Sequence, residues 1–435
     1  MVNECALDRI AMNRDRGQRG SGGEKMADAA GLRGISLWLV ALLALAMFIN
    51  YADRGSLAIA APLLARELAL NSGAMGLLLS SFFWTYALAQ PLAGMVAQRW
   101  PLRWVMAGGL TVWSLATMLC GLATGFASLF ALRLLIGLGE SVIFPVNARL
   151  LSEHAPAHQR GQANAAISIG IFLGPVAGTL IGGLVLAHVG WRPVFWVLGA
   201  VSLLWLPAWF ATRLPQSTRS AAQVRAATPG WGEILSRRGL WGVAIGQFCY
   251  AYPTYLLLTW LPTFLVNAEH YSLVRMAWVG AAIPLVQALG SAISGFGSDR
   301  AIGAGHDEST VRKRFMLWGM ALSGVMLAGA TVAPHGWVVL ALGGSAFACG
   351  VMSPMCFTAG QTLAGPAAAG RWMGLQNLIG NMSGVTAPLV TGLVVQHTGS
   401  YRLAFLIPAV LALIGMVAWG PLIGPVRQVA WRAPT

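Results

Sequence analysis

Residues 46–65 read AMFINYADRGSLAIAAPLLA, an apolar run with Asp53 and Arg54 side by side in its interior. Insertion of either residue at a helix centre costs about 2.5–3.5 kcal/mol, so the pair persists only where other groups compensate it. Reading this run as a membrane span decides the fold. Composition agrees, because 57% of the 435 residues are hydrophobic and 10% are charged, against about 25% charged in ordinary globular domains. Stretches of about 20 apolar residues, each long enough to cross a bilayer, recur near 35–60, 74–96, 103–122, 127–147, 161–187, 191–212, 239–265, 275–296, 313–333, 336–358, 371–396 and 400–422. They predict an all-α membrane protein with twelve transmembrane helices.

The net charge of +14 raises nucleic acid as a partner, but the distribution of the charge excludes it. Of 28 Lys and Arg, 22 fall in the two tails and alternate loops, four (Arg66, Arg192, Arg275, Arg402) in the opposite loops, and Arg54 and Arg133 inside spans. The positive-inside rule then places both termini and the 213–238 loop in the cytoplasm. A bacterial inner membrane is the expected location. Residues 1–34 lack the apolar core of a signal peptide and read as a disordered cytoplasmic tail. Five cysteines without paired spacing suggest neither a disulfide framework nor a metal site, and four of them fall in spans, where they act as small apolar residues. No cofactor is implied.

The longest polar stretch between spans, within 214–238, divides the spans six and six, giving halves over 35–213 and 239–422 and a tail over 423–435. The halves echo each other. GMVAQRWPLRW from Gly94 and GFGSDRAIGAG from Gly295 share the frame G-x-x-x-[DQ]-R, and HVGWRPVFWVLG from His188 is matched by HTGSYRLAFLIPA from His397. Parallel six-span repeats of this kind build one large class of secondary transporters, with the substrate site at midplane between them.

At this point the chain resembles the major facilitator superfamily over residues 35–422, and within it the anion:cation symporter family of bacterial galactonate, glucarate and hexuronate permeases and animal sialin. The stretches that carry the resemblance are NYADRGSLAIA (from Asn50), FFWTYALAQPLAG (from Phe82), LRLLIGLGESVIFPVNAR (from Leu132), YLLLTWLPTFLV (from Tyr255) and GLQNLIGNMSGVTAPLVTG (from Gly374). The resemblance implies two pseudo-symmetric halves and proton-coupled transport of an organic anion by alternating access.

The charge inventory points the same way. Of 14 acidic residues only Asp53 and Glu140 lie inside spans, with the two intramembrane arginines Arg54 and Arg133. Four unpaired charges would cost on the order of 10–14 kcal/mol, so mutual pairing in an aqueous central cavity is expected. Arg133 and Glu140 stand seven residues apart, about 10 Å by helical rise, too far for direct contact. Each must reach span one. A guanidinium stays charged and grips a carboxylate bidentately, whereas a carboxylate kept from water favours its protonated form. Arg54 is therefore expected to hold the substrate carboxylate, while Asp53 and Glu140 carry protons and Arg133 exchanges partners between them. The family resemblance implies the same roles, and adds Tyr51, Tyr86, Tyr255 and Asn377 as cavity-lining, substrate-binding positions.

At the cytoplasmic ends Arg99, Asp299 and Arg300 are expected to form a gate, weakened in the first half because Gln98 replaces the acid and Pro101 a glycine. Ile171 stands where polyol-acid carriers have glutamine, which favours a less hydroxylated acid. No catalytic constellation is present, and an enzyme is not expected. The expected partners are a small organic carboxylate, protons and the lipid bilayer, with the chain acting as a monomer. A proton-antiporting exporter and a non-transporting ligand sensor are the alternatives.

Overall fold

A computed structural model describes residues 36–154, 157–214 and 229–431. The expected tail over 1–34 and most of the 214–238 linker lie outside these residues. Among those described, twelve long helices follow one another. The first six are α1 (Leu37–Glu67), α2 (Ser72–Arg99), α3 (Leu102–Cys120), α4 (Phe126–Leu151), α5 (Ala166–Val189) and α6 (Trp191–Ala211). The second six are α7 (Arg238–Asn267), α8 (Leu273–Gly303), α9 (Glu308–Val332), α10 (Trp337–Gly365), α11 (Ala368–Thr398) and α12 (Tyr401–Leu422).

Local chemistry sets the ends. Asn71, Ser272 and Asp307 accept hydrogen bonds from Ala74 N, Arg275 N and Thr310 N at 2.8, 3.2 and 2.9 Å, capping donors that the first turn leaves free. Eleven of the helices are apolar enough to cross a membrane by composition. The exception, α7, is as long but carries Gln247, Tyr250, Tyr252, Tyr255, Pro253 and Pro262. Most of that polarity faces protein: Gln247, Tyr250 and Tyr252 are buried, as expected for intramembrane polar groups.

Two departures from the sequence expectation occur. The stretch expected to loop between spans ten and eleven is helical, and the chain passes from α10 into α11 through a single residue, Gly365, at φ 59°. That left-handed conformation suits glycine, while the flanking alanines favour helix. The segment after α12 is also no loose tail. Val426 N donates to Ser309 Oγ (2.8 Å), Val429 N to Leu363 O (3.0 Å), and Trp431 Nε1 to Ala364 O (2.8 Å). Residues 423–431 thus form a strap across the ends of α9 and α10, with Ile423 and Val426 buried beneath it.

The two halves meet toward the ends remote from the basic loops. Helices α2 and α11 cross there almost backbone to backbone, since a Cβ on Gly76 would lie 2.6 Å from Pro388 O and one on Gly392 would lie 2.5 Å from Ser72 O. Nearby, Gly183 of α5 abuts Ala277 of α8, and Arg66 Nη2 of α1 donates to Asn267 Oδ1 of α7 at 3.4 Å. These contacts close the molecule on that side.

Candidate functional site

Three helices of the first half are interrupted at the same depth. Helix α1 consists of Leu37–Arg54 and Ser56–Glu67, α4 of Phe126–Glu140 and a second segment that begins at Ile143, and α6 of Trp191–Leu203 and Trp205–Ala211. Arg54 and Glu140 are the last residues before their breaks, and Ser202 is the last but one. Discontinuous helices near the midplane are a common means of building a polar site inside a membrane protein.

The four intramembrane charges converge here. Arg54 Nη2 donates to Glu140 Oε2 at 3.0 Å and to Asn50 Oδ1, one turn earlier, at 3.2 Å. Its guanidinium lies over the rings of Tyr51, Tyr86 and Phe82, with centroids at 4.4, 4.6 and 5.2 Å, an aromatic cage that favours a cation. Phe82 and Tyr86 are themselves stacked at 5.2 Å. The sequence GLGE permits the approach of α4, because a Cβ on Gly139 would sit 2.8 Å from Gly109 O of α3. Thr85 Oγ1 of α2 donates to Leu134 O of α4 at 2.7 Å and fixes the pair.

Asp53 points elsewhere, as the expected rotation of about 100° per residue requires. Its Oδ2 accepts from Ser202 Oγ of α6 at 3.0 Å. Arg133 lies over Phe82 at 5.1 Å, and its Nε and Nη1 have no hydrogen-bond partner among the described residues. The expected separation of Arg133 from Glu140 holds, since among the described residues Glu140 pairs with Arg54 and not with Arg133. One expectation is corrected. The charges are not exposed to a water-filled chamber: Asp53, Arg54, Arg133 and Glu140 are 2, 5, 2 and 0% exposed, because aromatic rings and glycine-spaced helices fill the space around them. An apolar cavity between α7, α10, α11 and α12, lined by Leu256, Trp260, Phe264, Leu342, Tyr401 and Phe405, is confined to the second half and has no charged lining residue.

Opposite the arginine cage, the second half presents a run of hydrogen-bonded polar groups. Tyr255 Oη donates to Asn381 Oδ1 (2.8 Å), and Asn381 Nδ2 to Asn377 O (2.9 Å). Gln247 Nε2 donates to Asn377 Oδ1 (3.1 Å), and Gln376 Nε2 to Gln247 Oε1 (2.7 Å). Tyr255 meets Phe83 of α2 edge-on at 4.6 Å, so this run adjoins the first half. Tyr51, Tyr255 and Asn377 are half-buried and Tyr86 is buried. Sequence reasoning missed Gln247, Gln376 and Ser202. Two glutamines inside apolar spans were a legible signal, whereas a lone serine was not.

The expected gate residues Arg99, Asp299 and Arg300 are exposed, and among the described residues no ion pair joins them; the side chain of Gln98 lies outside the description. They are not brought to the charged cluster.

Comparison with known proteins adds the following. A family model described as Major Facilitator Superfamily matches residues 43–306 and 308–434. The chain is 29% identical to the probable galactarate/D-glucarate transporter GudP of Bacillus subtilis, covering 91% of this chain and 93% of that one. It is 30% identical to the probable sulfoacetate transporter SauU of Cupriavidus necator, covering 87% and 92%. Among solved structures, a bacterial homolog of the human lysosomal transporter Spinster, in an inward-facing and occupied conformation, superposes with a TM-score of 0.74 at 19% identity, covering 88% of this chain and 95% of that one.

Proposed function

Since the chain belongs to the Major Facilitator Superfamily, a family of membrane transporters and not of enzymes, we propose that it imports a small organic anion together with protons by alternating access. The observation that carries this reading is the 3.0 Å pair between Arg54 and Glu140. A guanidinium in an aromatic cage is a carboxylate receptor, and here an internal carboxylate occupies it. Substrate and Glu140 therefore compete for one cation. Protonation of Glu140 abolishes its charge and releases Arg54 to the incoming acid; ionisation restores the pair and expels the acid. Binding and proton uptake are coupled by this exchange.

Asp53, bonded to Ser202 and lacking a cation within 4.0 Å among the described residues, is the second proton carrier. Arg133 lies close enough to interact electrostatically with Asp53 and Glu140, and it stabilises whichever of them is ionised. Tyr51, Tyr86, Tyr255 and Asn377 line the substrate, the last two contributed by the second half. Arg99, Asp299 and Arg300 act at the cytoplasmic gate, at the ends remote from the contacts between the halves. The chain functions as a monomer with both termini in the cytoplasm of a bacterial inner membrane, its halves spanning 35–213 and 239–422.

Relatives named for galactarate, D-glucarate and sulfoacetate suggest compact anions of this size. Two protons with a monoanion move one net positive charge inward, worth about 2.3 kcal/mol per 100 mV, whereas two protons with a dianion such as D-glucarate or sulfoacetate move none. The test is uptake of D-glucarate and sulfoacetate into proteoliposomes. An inward proton gradient should drive accumulation, and with two protons per dianion an inside-negative potential should leave its rate unchanged. Accumulation driven only by an outward gradient would reverse the assigned direction, indifference to the gradient would remove proton coupling, and acceleration by the potential would require more than two protons.

A further inference from the structure

We propose that Ser202 is the positioning residue that sets the proton occupancy of Asp53, by donating its single hydroxyl hydrogen to the carboxylate in one protonation state and to Leu198 O in the other. Ser202 Oγ stands 3.0 Å from Asp53 Oδ2 and 2.9 Å from Leu198 O, and both Ser202 and Asp53 are buried. One hydrogen cannot serve both acceptors. With Asp53 ionised, the hydroxyl donates to Oδ2. When a proton arrives on Asp53, the new O–H donates to Ser202 Oγ, and the hydroxyl turns to Leu198 O, so neither state leaves a hydrogen without an acceptor. The step adds one proton to the carboxylate and breaks no covalent bond.

The surroundings leave this role to Ser202. Glu140 and Arg133 from α4 and Cys120 from α3 interact with Asp53 electrostatically. The indole N–H of Trp113, also from α3, is a second donor near the carboxylate, but it makes no hydrogen bond by distance and angle among the described residues. Asp53 Oδ1 has no partner among the described residues. Among those residues the serine hydroxyl is thus the one group whose hydrogen bond to this carboxylate is formed. Its place next to the break after Leu203 ties it to a point where α6 can bend, so movement of α6 would withdraw the donor and alter proton affinity.

This inference rests on the proton-carrying role of Asp53, and the experiment separates the two. In the purified full-length protein, the carboxylic-acid C=O band that disappears in Asp53→Asn is titrated against pH by infrared difference spectroscopy. Removing the donor in Ser202→Ala favours the protonated form, so the midpoint should move about one unit toward alkaline pH. The pH profile of proton-driven uptake should move with it. Ser202→Thr, which keeps a hydroxyl, should titrate near the wild type, and Ser202→Cys, a weaker donor, should fall between. Should the alanine variant not fold, the cysteine variant alone decides. An unmoved midpoint overturns the proposal for Ser202 even if Asp53→Asn abolishes coupling. A moved midpoint with coupling intact in Asp53→Asn instead overturns the proton-carrying role of Asp53.

Discussion

Glu140→Gln removes the competitor for Arg54 while keeping its shape. At an effective permittivity near 20, two unit charges about 4 Å apart attract by about 4 kcal/mol, whereas an amide oxygen keeps a hydrogen bond to the guanidinium worth about 1.5–3 kcal/mol. The variant therefore relieves an incoming carboxylate of roughly 1–2.5 kcal/mol of competition, or roughly 5- to 60-fold in affinity. The sign with pH follows from the 3.0 Å pair. In the wild type, acidification protonates Glu140 and frees Arg54, so binding should tighten as pH falls; in the variant binding should be tight and flat in the range set by Glu140. Thermal-shift titration of the purified protein with D-glucarate and sulfoacetate, between about pH 5 and about pH 8, reads both quantities. In proteoliposomes the variant should retain exchange and lose proton-driven accumulation. Weaker binding than wild type at every pH, or an unchanged pH slope, would refute the competition between Arg54 and Glu140.

Arg54→Ala should abolish stabilisation by organic acids. It also leaves Glu140 buried without its cation, which should lower folding stability by about 3–5 kcal/mol; an intact thermal shift with the same acids would remove Arg54 from the site. Gly392→Leu puts a side chain where a Cβ already meets Ser72 O at 2.5 Å, so the ends of α2 and α11 should part. A cysteine introduced in Leu258→Cys, beside Gly55 where the halves touch, should then react several-fold faster with an impermeant maleimide applied from that side, and equal rates would contradict the closure described. Asp307 is held below the ordinary aspartate range by the hydroxyl and backbone N–H of Thr310, with Arg427 of the strap 3.7 Å away. A lowered carboxyl stabilises the fold above its unfolded value and ceases to do so as pH falls through the folded one. Heat stability in detergent should therefore drop on acidification below about pH 4, and Asp307→Ala should lose part of that acid dependence.

What the sequence determined by itself follows from the membrane as solvent. Twelve apolar runs, their basic loops and the four intramembrane charges were legible because hydrocarbon penalises each exception heavily, so Asp53, Arg54, Arg133 and Glu140 had to find company. Helical spacing also separated Arg133 from Glu140 correctly. The helical passage through Gly365 and the strap over 423–431 were not legible, because both depend on contacts between segments far apart in the chain. Pairing was likewise beyond the sequence. Which acid takes Arg54 and which takes a serine hydroxyl depends on how α1, α4 and α6 are rotated and where each breaks, and those rotations are fixed by packing across the bundle. The same holds for the second half, where Gln247 orients Asn377 although 130 residues separate them. Periodicity and cost per residue place a group in the membrane; only the packed helices decide what it touches.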